Sequence, residues 1–277
     1  MAVIPAFRDG VTILRKNPVI LLAGLLFAAV SQIGTIGEFV DSWVVLGVGS
    51  LVAFLLGPFF LGGLIGMALE ALEGSKTTLG QLVRSGKAFY VSLLGATILF
   101  GLLLFVVVFV GMFVGMFSLI IGFGVAGAES GAAAILGAGL GLLVFLVLVL
   151  VVFAVFMFLQ FFSTAIVVDG ARAFDSFSRS IALVRANLLS VVGYSLLWIG
   201  VMTAAFAPII GLEVLLVEPG LVDDIGVDQT IAYAVTVSLT VILTGIGYAY
   251  LYAVHTSYYT RLGSSDDSSN APETVSA

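Results

Sequence analysis

The sequence predicts an all-α, polytopic membrane protein. Its six transmembrane helices form three helical hairpins, each introduced by an amphipathic segment on the cytoplasmic side. Three observations predict this. Hydrophobic residues make up 61% of the 277-residue chain and charged residues only 9%, against about 25% charged in an ordinary globular domain. A soluble fold cannot keep so apolar a surface in water. Six apolar runs, at 18–36, 43–69, 88–125, 132–168, 188–217 and 229–259, approach or exceed the roughly 20 residues that cross a bilayer. Finally, all ten Lys and Arg lie in the N-terminal arm, the loops 72–87 and 169–187, and at Arg261. The three alternate loops hold only acids. By the positive-inside rule both termini face the cytoplasm. The chain then divides into a six-span unit, 1–262, and a disordered acidic cytoplasmic tail, 263–277.

The first segment, MAVIPAFRDGVTILRKN, carries basic residues ahead of the apolar run and no clean cleavage site, so it is not expected to be a removable signal peptide. Ile4, Phe7, Val11 and Leu14 fall on one helical face. Their spacing recurs 170 positions later in Phe174, Phe177, Ile181 and Val184, and Phe7, Arg15 and Asn17 coincide in identity with Phe177, Arg185 and Asn187. A weaker copy runs through Leu79, Val83 and Lys87. Three lead-in segments, each before a pair of spans, are an internal repeat.

The segment 169–190, DGARAFDSFSRSIALVRANLLS, is the longest polar interruption in the chain. Its apolar face, extended by Leu188, predicts a helix lying along the membrane surface. Asp175 precedes Arg179 by four residues, so the two are expected to pair. Arg172, Arg179 and Arg185, with Arg15 and Lys16 of the first segment, are the candidate contacts to anionic lipid headgroups.

The third and fourth runs each reach about 55 Å at 1.5 Å per residue, well beyond a hydrocarbon core of about 30 Å. They are expected to tilt, break or project, with the glycine-rich stretch 122–141 beyond the outer headgroups or in a re-entrant turn. Pro58 and Pro208 mark kink positions. The glycine pairs Gly62–Gly66, Gly111–Gly115 and Gly137–Gly141 suit close helix packing within the chain. Tyr248, Tyr250, Tyr252, Tyr258 and Tyr259 crowd the end of the last span, as an interfacial aromatic belt does.

The chemistry-bearing residues are few. No Asp, Glu, Lys, Arg or His sits near the middle of a span, which counts against a proton-coupled transporter. Gln160, Ser31 and Gln32 are the notable polar residues within spans. They line a polar path or, more simply, hydrogen-bond between helices. His255 lacks the setting of a catalytic triad or a zinc motif and reads as a hydrogen-bonded interfacial histidine. There is no cysteine, which excludes disulfides and thiol chemistry. No cofactor is implied. The acids at 213–228 lack the order of a calcium loop, and Gly122, Gly124 and Gly127 form no phosphate loop. The net charge of −6 argues against a nucleic-acid partner. Acidic loops with only three lysines suit high external salt.

The stretches FRDGVTILRKNP at the start and FDSFSRSIALVRAN before the fifth span resemble those of a broad group of uncharacterised six-helix membrane proteins of haloarchaea. Their layout is similar to the membrane domain attached to some bacterial glycerophosphodiester phosphodiesterases. In that group a basic amphipathic segment precedes the fifth span, as Ser180, Arg185 and Asn187 do here. The catalytic barrel of the fused enzymes is a separate region with no counterpart in this chain, so the resemblance implies no activity and no site residues. The function expected is non-enzymatic: a membrane-organising or regulatory component meeting lipid headgroups, a second copy or a membrane-protein partner. The alternative is a permease or channel for a small neutral or lipidic solute, and a polar cavity through the spans would favour it.

Overall fold

A computed structural model of the chain describes residues 2–35, 37, 40–125, 131–217 and 229–269, with side chains over most of them. The described residues are almost entirely helical and contain no strand. In order the helices are α1 (Val3–Lys16), α2 (Val19–Ser31), α3 (Trp43–Leu72), α4 (Leu79–Val125), α5 (Gly131–Leu159), α6 (Phe162–Asp169), α7 (Ala173–Ala186), α8 (Leu188–Val217) and α9 (Gln229–Ser269). Five segments are long and apolar enough to cross a membrane: α3, most of α4, α5 with α6, most of α8, and α9 from Tyr233 to Gly263. A sixth span is the pair α1 and α2, which meet at a bend of 98°. The protein is a multi-pass membrane protein of five to six spans.

Helix α9 is the axis of the bundle and touches α1, α2, α3, α6 and α8. The first span packs more extensively against this last span than against α3. Glycine makes that possible. A Cβ on Gly24 would meet the Gly245 carbonyl, and a Cβ on Gly245 would meet the backbone of Leu25. Across the α3–α4 seam, Gly62, Gly63 and Gly66 face Leu93, Leu82 and Ser85 at distances that leave no room for a side chain. Gly111 lies against Leu148 and Gly115 against Val144. Two of the three predicted glycine pairs therefore serve packing within the chain; Gly137 falls outside the described side chains.

The two long runs resolve differently. Helix α4 is continuous for 47 residues, about 70 Å, so it outreaches the bilayer. It includes the third lead-in copy, which is not a separate helix. The fourth run breaks between α5 and α6, at Gln160 and Phe161. Residues 126–130, in the glycine-rich meeting point, are outside the described set. Helices α3 and α8 run on through Pro58 and Pro208. Helix α9 continues to Ser269, into the segment expected to be a disordered tail.

The lead-in helices form where expected and turn a mixed face inward. In α7 the buried residues are Ser176, Ser180 and Val184, while Phe174 is 72% exposed. In α1 they are Ala6, Gly10 and Ile13, while Ile4 and Val11 are exposed. Ala6 and Gly10 stand 170 positions before Ser176 and Ser180. The inward face of both helices thus pairs small residues with one apolar residue, Ile13 or Val184, which lets them lie close against the spans, while Phe7 and Phe177 pack at its edge and Ile4, Val11 and Phe174 look outward. The shared asparagines match too: Asn17 and Asn187 are each the residue that ends its helix.

Candidate functional site

The fourth span breaks without a proline or glycine nearby; the local sequence is FMFLQFFSTAIVVDG. Its cause is a side chain inserted into the hydrogen-bond ladder. Ser180 of α7 donates to the Phe158 carbonyl at 2.8 Å, and its oxygen accepts the Phe161 N–H at 3.2 Å. Two further carbonyls are satisfied by other side chains. The Gln160 amide donates to Met157 at 3.1 Å, and His255 Nε2 donates to the Gln160 carbonyl at 2.9 Å. In hydrocarbon an unpaired backbone group costs several kcal/mol. The break persists because these three side chains replace its lost helical bonds.

His255 is buried, and both ring nitrogens are committed. A carbonyl only accepts, so Nε2 carries the proton toward Gln160. In the neutral imidazole Nδ1 then accepts from the Tyr194 hydroxyl, 2.8 Å away. The ring stacks on Phe161 with centroids 4.7 Å apart. Tyr194 stacks on Tyr258 at 4.2 Å, and the Tyr258 hydroxyl bonds Ser190 at 2.9 Å. Gln160 Nε2 also donates to Ser195 of α8, at 3.1 Å. Gln160 therefore sits in an interhelical network joining α5, α8 and α9.

Just beyond His255, α9 latches the lead-in elements. Ser257 donates to Asp9 of α1 at 2.6 Å, and Arg261 binds the same carboxylate at 2.8 Å through Nε. Tyr259 donates to Asp169 at the end of α6, at 2.5 Å, and Arg179 pairs with that oxygen at 2.9 Å. Gly170 follows in the left-handed conformation, φ 65°, which glycine adopts without strain and which ends α6 before α7.

The geometry corrects three expectations. Arg179 pairs with Asp169, not with Asp175, because the chain reversal at Gly170 brings the end of α6 beside the start of α7. Tyr258 and Tyr259 are buried in the helix core rather than forming a lipid–water belt. Ser31 and Gln32 do not join Gln160: the Ser31 hydroxyl donates to the Ala28 carbonyl of its own helix, and Gln32 ends α2. Arg172, Arg185, Arg15 and Lys16 are exposed.

Beside the break a cleft of about 730 Å³ lies among α3, α4, α5, α6, α8 and α9, and Gln160, Ser163, Ser195 and His255 are in its wall. Among the described residues no three His, Asp or Glu gather as a metal site does. The inward position of Ser176, and the bonds Ser180 makes to the fourth span, have no sign in the local sequence, because serine on a helix is ordinarily read as its solvent face. The coincidence of small residues at positions 6, 10, 176 and 180 was the available signal.

No curated protein and no solved structure matches the chain. The model of a family described as a domain of unknown function, DUF7847, matches residues 1–262, all of the helical bundle except its last turns; the chain belongs to that family.

Proposed function

We propose that the protein is a non-enzymatic, organising or regulatory component of the cell membrane. Both termini and the helices α1 and α7 lie on the cytoplasmic side in this reading. Arg15, Lys16, Arg172 and Arg185 meet anionic headgroups there, and a second copy or another membrane protein is the further partner. The observation that supports it is the 98° bend between α1 and α2. If α2 follows the span direction, α1 lies across it, in the plane of the surface. Ile4 and Val11 then share the outward face with the stems of Arg8 and Arg15, whose guanidinium groups, with Lys16, reach up to phosphates. Each basic residue near an anionic surface contributes about 1 kcal/mol. Arg179 contributes less, since it is already engaged by Asp169. Acid-only loops on the opposite side fit a source living in high salt.

The test is retention of phosphatidylglycerol by the purified protein, read by native mass spectrometry. Replacing Arg15, Lys16, Arg172 and Arg185 together by Gln should strip most of the bound anionic lipid. Unchanged retention would sink the electrostatic role.

A second reading is a carrier or permease for a lipidic solute. The cleft beside Gln160 favours it, being partly open and largely apolar. A channel for small polar solutes is less well supported, since Ser31 and Gln32 lie apart from Gln160.

A further inference from the structure

We propose that the cleft beside the broken span is a binding site for a lipid quinone: a neutral ring with two carbonyl acceptors and a long apolar tail. This rests on the lipidic-solute reading and goes beyond it in naming the chemical class. The wall has three properties that together select such a molecule.

The first is unused hydrogen-bonding capacity. The Ser163 hydroxyl, the Tyr252 hydroxyl and the Trp198 indole N–H belong to residues lining the cleft, and none has a hydrogen-bond partner among the described residues. Ser163 is itself only 6% exposed. A donor facing hydrocarbon without a partner is costly. The indole N–H can only donate, so a molecule that meets it there offers an acceptor. The second property is charge. No Lys, Arg, Asp or Glu lines the cleft, and an ionised headgroup there would have no counter-charge. The head must be neutral. The third is shape. Phe100, Phe153, Phe156, Phe162, Trp198 and Tyr252 all contribute to the wall, and aromatic faces and edges favour a flat ring between them.

The tail has a place as well. Away from the break, Leu148 of the cleft wall also borders a second, almost wholly apolar trough of about 380 Å³ between α4 and α5. From Gln160 back to Val144 the track follows sixteen residues of helix, about 24 Å. That is most of the hydrocarbon thickness, and it accommodates one extended chain rather than a pair.

The chain contains two tryptophans. Trp43 is 83% exposed at the start of α3, so Trp43→Phe leaves Trp198 as the sole indole. Decylubiquinone titrated into this variant in nanodiscs should quench Trp198 fluorescence saturably. Ser163→Ala and Tyr252→Phe should each weaken binding about three- to tenfold, the loss of one neutral hydrogen bond. Tyr252→Phe removes only a hydroxyl, so it carries the test if Ser163→Ala fails to fold. Dioleoylglycerol, with an acceptor-bearing neutral head but no ring, should not displace the quinone. Displacement at equal potency would overturn the quinone assignment and leave the lipidic reading standing. Quenching that rises linearly with quinone and is the same in every variant is membrane partitioning, and would overturn the quinone assignment; if labelled dioleoylglycerol also fails to bind saturably, the lipidic reading falls with it.

Discussion

The Ser180 hydroxyl accepts the backbone N–H of Phe161 across nineteen residues of chain, at 3.2 Å. A side chain of the short helix α7 thereby stands in for a bond that the fourth span has given up. Removing it should be expensive for so small a change. Ser180→Ala leaves the Phe158 carbonyl and the Phe161 amide unpaired, and the expected loss is about 1–3 kcal/mol. Reversible unfolding in mixed micelles would measure it; a change within a few tenths of a kcal/mol would mean that the break holds itself.

His255 closes the same break from the opposite side. His255→Phe keeps a ring against Phe161 but orphans the Gln160 carbonyl and the Tyr194 hydroxyl, with an expected loss of about 1–3 kcal/mol. Tyr194→Phe removes only the hydroxyl and should cost about 1 kcal/mol. Because the two residues share one bond, the double variant should be less destabilised than the sum of the singles. Strict additivity would show that the 2.8 Å contact carries no energy.

Gly24 and Gly245 hold the first span against the last. Gly24→Val forces the branched side chain into the Gly245 carbonyl, and overpacking of this kind costs about 1–3 kcal/mol or more. Gly47, beside open space on α3, is the control: Gly47→Ala should be neutral or slightly stabilising, since alanine is the better helix former. Equal losses at the two sites would rule out close approach as the reason for Gly24.

Orientation follows from charge. Reporter fusions after Gly37, Gly127 and Gly220 should report the outside, and fusions after Ser75 and Gly170 the cytoplasm. The positive-inside rule supplies the direction. A single reversed pair would refute the six-span topology.

Salt provides a further check. If the acid-rich outer loops are adapted to high external salt, thermal stability in nanodiscs should rise from low to molar KCl. The Asp9–Arg261 and Asp169–Arg179 pairs are partly exposed and contribute at most about 1 kcal/mol, so their screening should not mask the rise. Stability indifferent to KCl would remove the salt argument.

The membrane class, the alternation of basic and acidic loops, and the extents of α1, α3, α7 and α8 are legible in the sequence. Each depends on a local quantity: the length of an apolar run, the sign of the charge beside it, or a capping asparagine. The repeat relating Arg15 and Asn17 to Arg185 and Asn187 belongs with them. The sequence leaves open which side of α1 and α7 turns inward, because an apolar residue is equally at home against lipid or against the bundle. Close approach then decides, and the small residues Ala6, Gly10, Ser176 and Ser180 lie inward beside Ile13 and Val184. The break at Gln160 and Phe161 has no local cause at all. It exists because Ser180, His255 and the Gln160 side chain converge on it, and that convergence depends on how α7 and α9 pack. Tertiary structure alone decides it, since a helix ladder in hydrocarbon opens only where other elements bring replacement hydrogen bonds to its freed groups.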